Sequence, residues 1–277
     1  MSAALYTPGL GYYSGDHLPF GWMPQDGSDF VTAPELSGLF GQALAVQVRQ
    51  ALQATHTTTV CEFGAGSGAL AEQLFPGQGA ALSVLWRDKQ IEYSRLISLS
   101  DPCNPHGSKH YQSFWSITDL ALQYACERLK LLLSADARQQ LLAQYAHLQA
   151  FPENLGVLQT LQDRGIPCAI LSNGNPDMLQ SAVESAGMRA YLDHVISVDE
   201  VRQFKTSPQS YALVQQRFGF ENDDILFVSS NGWDVLGATW FGFQTFWVNR
   251  QNLPFETLGP RPTFTGPDLT HVLTVLQ

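Results

Sequence analysis

Short apolar segments alternate with helical segments throughout the carboxyl-terminal half of the chain. Strands are predicted at residues 167–171, 195–198, 225–229 and 245–248. Helices are predicted at residues 154–164, 178–186, 207–218 and 233–241. Neighbouring parallel strands need a long connection, which a helix supplies, so this alternation predicts βαβ crossovers. We therefore expect an α/β fold whose parallel sheet is covered by helices on both faces.

A long stretch of helical character precedes this alternating part. From Ala80 to Leu148, apolar residues recur mostly at intervals of three and four, as they do on one face of a helix. Further helices are predicted at residues 118–133 and 135–148, with Ser134 as the amino-terminal cap of the second. The predicted units are an amino-terminal segment (1–73), an inserted helical cap (74–151) and an α/β core (152–277).

The composition of the chain excludes some classes of function. The formal net charge is -10, whereas nucleic-acid binding depends on Lys and Arg at phosphates. No apolar run approaches the roughly 20 residues that span a bilayer, so no membrane segment is expected. The start of the chain lacks the basic and apolar regions of a secretory signal, which predicts a cytoplasmic protein. The four cysteines stand far apart and indicate neither a zinc site nor a redox motif.

Polar side chains follow three successive predicted strands. Ser172 and Asn173 follow the first, Lys205 comes shortly after the second, and Asn231 and Asp234 come just after the third. Taken singly, each could be a loop cap, a solvated charge or a partner of a helix dipole. Ligands of open parallel sheets bind beyond the carboxyl ends of the strands, so three such endings together predict a site at this edge.

Several segments resemble the type II L-2-haloacid dehalogenases of the haloacid dehalogenase (HAD) superfamily. They are residues 85–93 (LWRDKQIEY), 170–174 (ILSNG), 196–199 (ISVD), 204–205 (FK) and 227–234 (FVSSNGWD). The last is the most specific, because a metal-dependent HAD phosphatase would carry paired carboxylates there for Mg²⁺ and this chain has the single Asp234. The resemblance implies an HAD-like Rossmannoid core with a helical cap, no metal and no cofactor, and hydrolytic dehalogenation of short 2-haloalkanoic acids.

The resemblance also implies which of these residues take part in catalysis. They are Arg87, Lys205, Ser229, Asn231 and Asp234. Arg87, on the cap, would face the leaving halide as a fixed cation. Lys205 and Ser229 would hold the nucleophile and stabilise charge. Asn231 and Asp234 would position the attacking water or Lys205.

A second implied group contacts the substrate. Its members are Ser172, Asn173, Tyr211, Phe114, Ile91 and Trp233. Ser172 and the backbone after it would hold the substrate carboxylate, with Asn173 beside it. Phe114, Ile91 and Trp233 would form an apolar wall around the halogen. After Arg87 the family often has Gln, so Asp88 is a departure that bears on halide affinity.

The nucleophile of the family is absent from its usual place. The family begins with a strand that ends in Asp-x-x-Gly-Thr, and the chain contains no such string. A parallel sheet without its central strand leaves backbone groups unpaired, so another segment must fill the gap. Residues 57–63 are the best available strand and would bring Glu62 close to the position of the aspartate. A surface or capping role for Glu62 stays open.

The amino-terminal segment resembles a different family. Residues 12–15 (YYSG), 28–37 (SDFVTAPELS), 39–41 (LFG) and 62–68 (EFGAGSG) are similar to the MidA-like class of S-adenosylmethionine-dependent methyltransferases. This resemblance implies a cofactor-binding turn at Gly64, Gly66 and Gly68, where glycines let the backbone approach a ligand closely. Beside the dehalogenase with its small 2-haloacid substrate and possible homodimer, a cofactor-binding methyltransferase module and an inactive fusion product therefore stay open.

Overall fold

The computed structural model describes residues 69–146 and 150–276, and the first of these ranges forms a helical unit. Its helices are α1 Ala69–Leu74, α2 Gly79–Ser100, α3 Phe114–Arg128 and α4 Ala135–Ala143. The helices expected between residues 80 and 148 are present, but a non-helical loop, residues 101–113, separates α2 from α3. Over the described ranges, no helix is long and apolar enough to cross a membrane.

Serine side chains determine where two of these helices begin. Ser113 Oγ accepts a hydrogen bond from Ser116 N at 3.2 Å, and Ser134 Oγ accepts one from Ala137 N at 3.1 Å. Both serines precede their helix in an extended conformation, as amino-terminal caps do. Ser134 is therefore confirmed as a cap. The predicted helix 118–133 is wrong at both ends, because the Ser113 cap begins α3 earlier and α3 also ends earlier.

The interior of the helical unit holds α2 in a fixed orientation. Trp86 of α2 is buried with Leu122 of α3 and Leu141 of α4, and α1 joins the cluster through Ala71. The indole N–H of Trp86 donates to the Thr118 carbonyl at 2.7 Å, so burial leaves this polar atom bonded. This packing fixes the direction of α2, the helix that carries Arg87.

The second described range alternates strands with helices. The strands are β1 Ala169–Ser172, β2 His194–Ser197, β3 Leu226–Ser229, β4 Gln244–Val248 and β5 Phe264–Gly266. The helices are α5 Asn154–Asp163, α6 Pro176–Ser185, α7 Pro208–Phe218, α8 Gly232–Phe241 and α9 Val272–Val275. The predicted strands and helices lie within two residues of β1 to β4 and α5 to α8, which confirms the α/β class. The short elements β5 and α9 were not predicted from the sequence.

The strands form two parallel sheets. β1 pairs with β2, and β3 pairs with β4, which pairs with β5. Between residues 69 and 276, no described segment pairs with β1 or β3 on the side where the two strands share a cavity of about 690 Å³. Ala169 of β1 is exposed, although interior strands of parallel sheets are normally buried. A further strand of the same sheet would therefore fit between β1 and β3.

Helices α7 and α8 meet at a glycine beside the carboxyl edge of the strands. A Cβ atom at Gly237 would lie 2.6 Å from the Tyr211 hydroxyl and 2.6 Å from Thr206 Cγ2. Both distances are far below the roughly 3.5–4.0 Å of favourable carbon contacts. The missing side chain at position 237 therefore makes room for Tyr211 against α8.

Replacing Gly237 by alanine should destabilise the fold. Because the added methyl group overlaps Tyr211 and Thr206, we expect Gly237→Ala to lower the free energy of unfolding by about 1–3 kcal/mol. Gly156→Ala in α5 is the matched control, since a Cβ there meets nothing within 4 Å. That change should raise the unfolding free energy by roughly 0.5–1 kcal/mol. Urea unfolding followed by circular dichroism measures both, and equal values for the two variants would contradict the packing described.

Candidate active site

A buried ion pair lies at the carboxyl ends of the strands. Lys205 Nζ is 2.9 Å from Asp234 Oδ2, and the two residues are only 7% and 4% exposed. Two hydroxyl groups complete the bonding of the carboxylate. Tyr211 donates to Oδ1 at 2.9 Å, and Ser229 donates to Oδ2 at 3.2 Å. Burial of a charge is costly unless the charge is paired and hydrogen-bonded, and the Asp234 carboxylate is both.

Loops after three strands converge on this pair. Ser229 ends β3, and Asp234 lies in the first turn of α8, where the helix dipole stabilises a negative charge. Asn231 N donates to Ser229 Oγ at 3.2 Å and closes the turn between them. Lys205 lies in the loop between β2 and α7, and its backbone N–H donates to Asn173 Oδ1 at 3.0 Å. The side chain of Asn173 thus joins the end of β1 to the loop that carries the lysine.

Tyr211 lies behind the ion pair. Its side chain is fully buried and packs edge-on against the rings of Phe227 and Phe243. Burial raises the pKa of Tyr211 strongly, and the neighbouring Asp234 carboxylate raises it further. The phenol therefore stays protonated and donates to Asp234. Tyr211 does not line the cavity, so its contact with a substrate stays a prediction.

Most of the predicted site residues face the cavity between β1 and β3. Those that line it are Phe114, Ser172, Asn173, Lys205, Ser229, Asn231, Trp233 and Asp234. Ser172 Oγ accepts a hydrogen bond from Gly174 N at 3.1 Å, which leaves its own proton available to an acceptor in the cavity. This edge of the cavity therefore offers an anion a hydroxyl donor and a lysine cation.

A second cation reaches the site from the helical unit. Arg87 of α2 donates from Nη2 to Asn231 Oδ1, just before α8 begins. Further along α2, Arg95 stacks on Trp233, with 5.4 Å between Cζ and the ring centroid. Trp233 Nε1 is buried and has no hydrogen-bond partner in the part of the chain that the structure describes. Helix α2 thus contacts the start of α8 at two places.

Arg87 is exposed, and neither it nor two of its neighbours on α2, Ile91 and Asp88, belong to the cavity lining. Ile91 is half-buried and does not belong to the cavity lining, so its place in an apolar wall around the halogen stays a prediction. Asp88 is exposed. Its effect on halide affinity also stays a prediction.

One serine that contacts the Lys205 loop was not among the predicted site residues. Ser98 Oγ of α2 accepts a hydrogen bond from Phe204 N at 2.8 Å. A signal was available, because Gln90, Ser94 and Ser98 recur every four residues and all three are buried. Polar residues at helical spacing on a buried face indicate internal hydrogen bonds.

Four predicted site residues lie outside the described residues, so the structure says nothing of them. They are Glu62, Gly64, Gly66 and Gly68. The resemblance to methyltransferases rests on residues 12–68, which also lie outside the described residues, and it stays a prediction. Across residues 69–146 and 150–276, no group of three or more His, Cys, Asp or Glu side chains is placed to hold a metal ion.

Comparison with known proteins gives a family for most of the chain. A family model described as a haloacid dehalogenase-like hydrolase matches residues 49–242. Haloacetate dehalogenase H-2 of Moraxella sp. (strain B) is 39% identical over 205 residues, which cover 74% of this chain and 88% of that protein.

Solved structures agree with the sequence comparison. A crystal structure of an L-2-haloacid dehalogenase matches with a TM-score of 0.73 and 54% identity, over 76% of this chain and 92% of the other. The L-2-haloacid dehalogenase from Xanthobacter autotrophicus with chloropropionic acid covalently bound matches with a TM-score of 0.67 and 35% identity, over 76% and 92% of the two chains. By these matches, the chain belongs to the haloacid dehalogenase-like hydrolases.

Proposed function

We propose that the chain hydrolyses the carbon–halogen bond of short (S)-2-haloalkanoic acids. The observation that carries this proposal is the buried Lys205–Asp234 pair, which shares one cavity with Ser172 and with Asn231, the partner of Arg87. Such a reaction needs donors for the substrate carboxylate, a cation beside the leaving halide and charge stabilisation at the nucleophile. The named activities of the relatives support the same reaction.

The substrate carboxylate would bind at the end of β1. Ser172 can donate its hydroxyl proton there, and the backbone N–H groups that follow it are further donors. Asn173 can contribute only its amide NH₂ group without breaking an existing contact, because Oδ1 already accepts from Lys205 N. A carboxylate held in this way would place its α-carbon inside the cavity.

The halide would leave towards the helical unit, which would act as the cap. Arg87 supplies a guanidinium, a planar cation with several N–H donors. Phe114 and Trp233 line the cavity and exclude water from the halogen, and Ile91 of α2 would complete this apolar wall.

We propose Glu62 as the nucleophile, carried by residues 57–63 as a strand between β1 and β3. Asp234 is poorly suited to the attack, because Lys205, Tyr211 and Ser229 already bond to its oxygens. The gap between two parallel edges supports a strand at this position, and the family match begins at residue 49 and so includes Glu62.

The proposed reaction has two steps. In the first, a Glu62 carboxylate oxygen bonds to the α-carbon, the carbon–halogen bond breaks, and the halide leaves with the bonding electron pair. In the second, water attacks the carbonyl carbon of the Glu62 ester, whose acyl–oxygen bond then breaks. The 2-hydroxy acid departs, the Glu62 carboxylate is restored, and the remaining proton goes to solvent. Lys205 would offset negative charge in both steps.

We also propose that this reaction needs no metal ion. The carboxylate at the end of the β3 loop is Asp234, and it is already neutralised by Lys205 at 2.9 Å. A hard divalent cation binds several oxygen ligands, often carboxylates, and this ammonium-paired group does not suit one.

A homodimer and a cytoplasmic location stay predictions. The exposed side chains of Leu96 and Leu99 on α2, at 56% and 73%, support an apolar surface for self-association.

Replacing Lys205 should abolish dehalogenation and weaken the fold. Lys205→Met leaves the buried Asp234 carboxylate without its cation, so we expect the free energy of unfolding to fall by about 3–5 kcal/mol. Lys205→Met combined with Asp234→Asn removes both charges and should regain much of that loss, but no activity. Halide release from L-2-chloropropionate and urea unfolding measure the two effects. Halide release by Lys205→Met within about 10-fold of the wild type would contradict the role of Lys205.

Changes at Glu62 test the proposed nucleophile. We expect Glu62→Gln and Glu62→Ala to release no halide, because neither side chain can form the ester. Glu62→Asp should retain or raise activity, because the family carries an aspartate at this place and a misplacement of about 1 Å by the longer glutamate can cost on the order of 100-fold in rate. Glu92→Gln is the control, because Glu92 pairs with Lys89 at the surface of α2.

Turnover in H₂¹⁸O gives an independent measure of the same step. Hydrolysis of the ester at its carbonyl carbon leaves ¹⁸O in the Glu62 carboxylate, so the peptide that contains Glu62 should gain mass. Unlabelled Glu62 after many turnovers by an active enzyme would rule this residue out as the nucleophile.

A further inference from the structure

The backbone just before Lys205 is held by side chains from both parts of the structure. Phe204 N donates to Ser98 Oγ of α2 at 2.8 Å, and this hydrogen bond is buried. The next amide, Lys205 N, donates to Asn173 Oδ1 after β1 at 3.0 Å. Two consecutive backbone N–H groups are thus fixed by opposite partners, one in the helical unit and one in the α/β core.

The side chains of the same two residues also diverge. Phe204 is fully buried in a cluster with Ile117 of α3, and its ring stacks on Tyr111 with 5.1 Å between centroids. Lys205 extends the other way to Asp234 in the core. A movement of the helical unit would therefore displace the backbone that carries the Lys205 ammonium group.

The loop between α2 and α3 adds further ties to the same segment. Gln203 Nε2 donates to the Asp101 carbonyl at 3.0 Å, and Ser108 N donates to the Arg202 carbonyl at 3.0 Å. At Gly107, a Cβ would lie 2.3 Å from Arg202 Cβ, so the two loops are in close contact. Ser98 is the member of this set that binds directly beside Lys205.

We propose that Ser98 is a positioning residue for Lys205, acting through the Phe204 amide; this inference rests on the function proposed above. Without its oxygen, the buried Phe204 N–H loses its partner, and the one hydrogen bond that joins this backbone directly to α2 is lost. The Lys205 ammonium group then leaves its place beside the reacting centre for part of the time. The donors for the substrate carboxylate at Ser172 are not disturbed, so the effect falls on kcat rather than on KM.

Ser94 provides a matched control on the same helix. It lies one turn before Ser98, and both serines are buried, at 2% and 9% exposure. Ser94 Oγ donates to the Ile91 carbonyl within α2. Ser94→Ala therefore removes a buried serine hydroxyl without touching the Lys205 loop.

The experiment compares Ser98→Ala, Ser98→Thr and Ser94→Ala in the full chain. Acetylation of Lys205 by an N-hydroxysuccinimide ester, followed by peptide mass spectrometry, reports how firmly its ammonium group is held. The remaining lysines, Lys89, Lys109 and Lys130, are internal references. Hydrogen exchange of the peptide that contains Phe204 and steady-state halide release complete the set, and thermal unfolding confirms that each variant is folded.

We expect Ser98→Ala to speed acetylation of Lys205 and exchange at Phe204, and to lower kcat by about 10-fold with KM nearly unchanged. Ser98→Thr keeps an acceptor oxygen and should restore wild-type behaviour, and Ser94→Ala should match the wild type. Equal Lys205 acetylation in Ser98→Ala and Ser94→Ala would overturn the proposal. If the wild-type chain releases no halide, the proposed function fails, but acetylation and exchange still test the position of Lys205.

Discussion

The buried ion pair between Lys205 and Asp234 is the interaction on which the arrangement of the sheet edge depends. Neither charge is tolerable at such low exposure without the other, so the β2–α7 loop and the start of α8 must meet. Tyr211 donates to one oxygen of this carboxylate, and Ser229 donates to the oxygen that also pairs with Lys205. The sheet edge is thus held together by the same contacts that orient its cation.

The division of the sheet between β1 and β3 is the second constraint. Among the described residues, neither strand has a partner on the side of their shared cavity, and Ser172, Ser229 and Lys205 line its carboxyl end. A strand placed there would satisfy the backbone of both neighbours and bring its own carboxyl-terminal residues among those side chains. The strand proposed for residues 57–63 would therefore complete the sheet and the active site together.

The sequence predicted those parts of the molecule that depend on local pattern. Strands β1 to β4 are short apolar runs, and the polar residues after them mark the site because parallel strands end at a common edge. Ser98 was missed because a single hydroxyl becomes significant only through a partner more than one hundred positions away, Phe204 N. The loop at residues 101–113 was not predicted, because apolar residues at intervals of three and four occur on both sides of it. The need for a glycine at position 237 could not be predicted either, because it depends on the contact between α7 and α8.

Besides the stacking of Arg95 on Trp233, helix α2 reaches the site through two hydrogen bonds. Arg87 bonds to Asn231 before α8, and Ser98 bonds to Phe204 beside the lysine. These residues are eleven positions apart, about 16 Å at roughly 1.5 Å per residue of helix. A single helix therefore carries Arg87 and also binds the backbone next to Lys205. A small tilt of α2 would displace Arg87 and the Phe204–Lys205 backbone together, so the packing of this helix around Trp86 helps to set the positions of both cations.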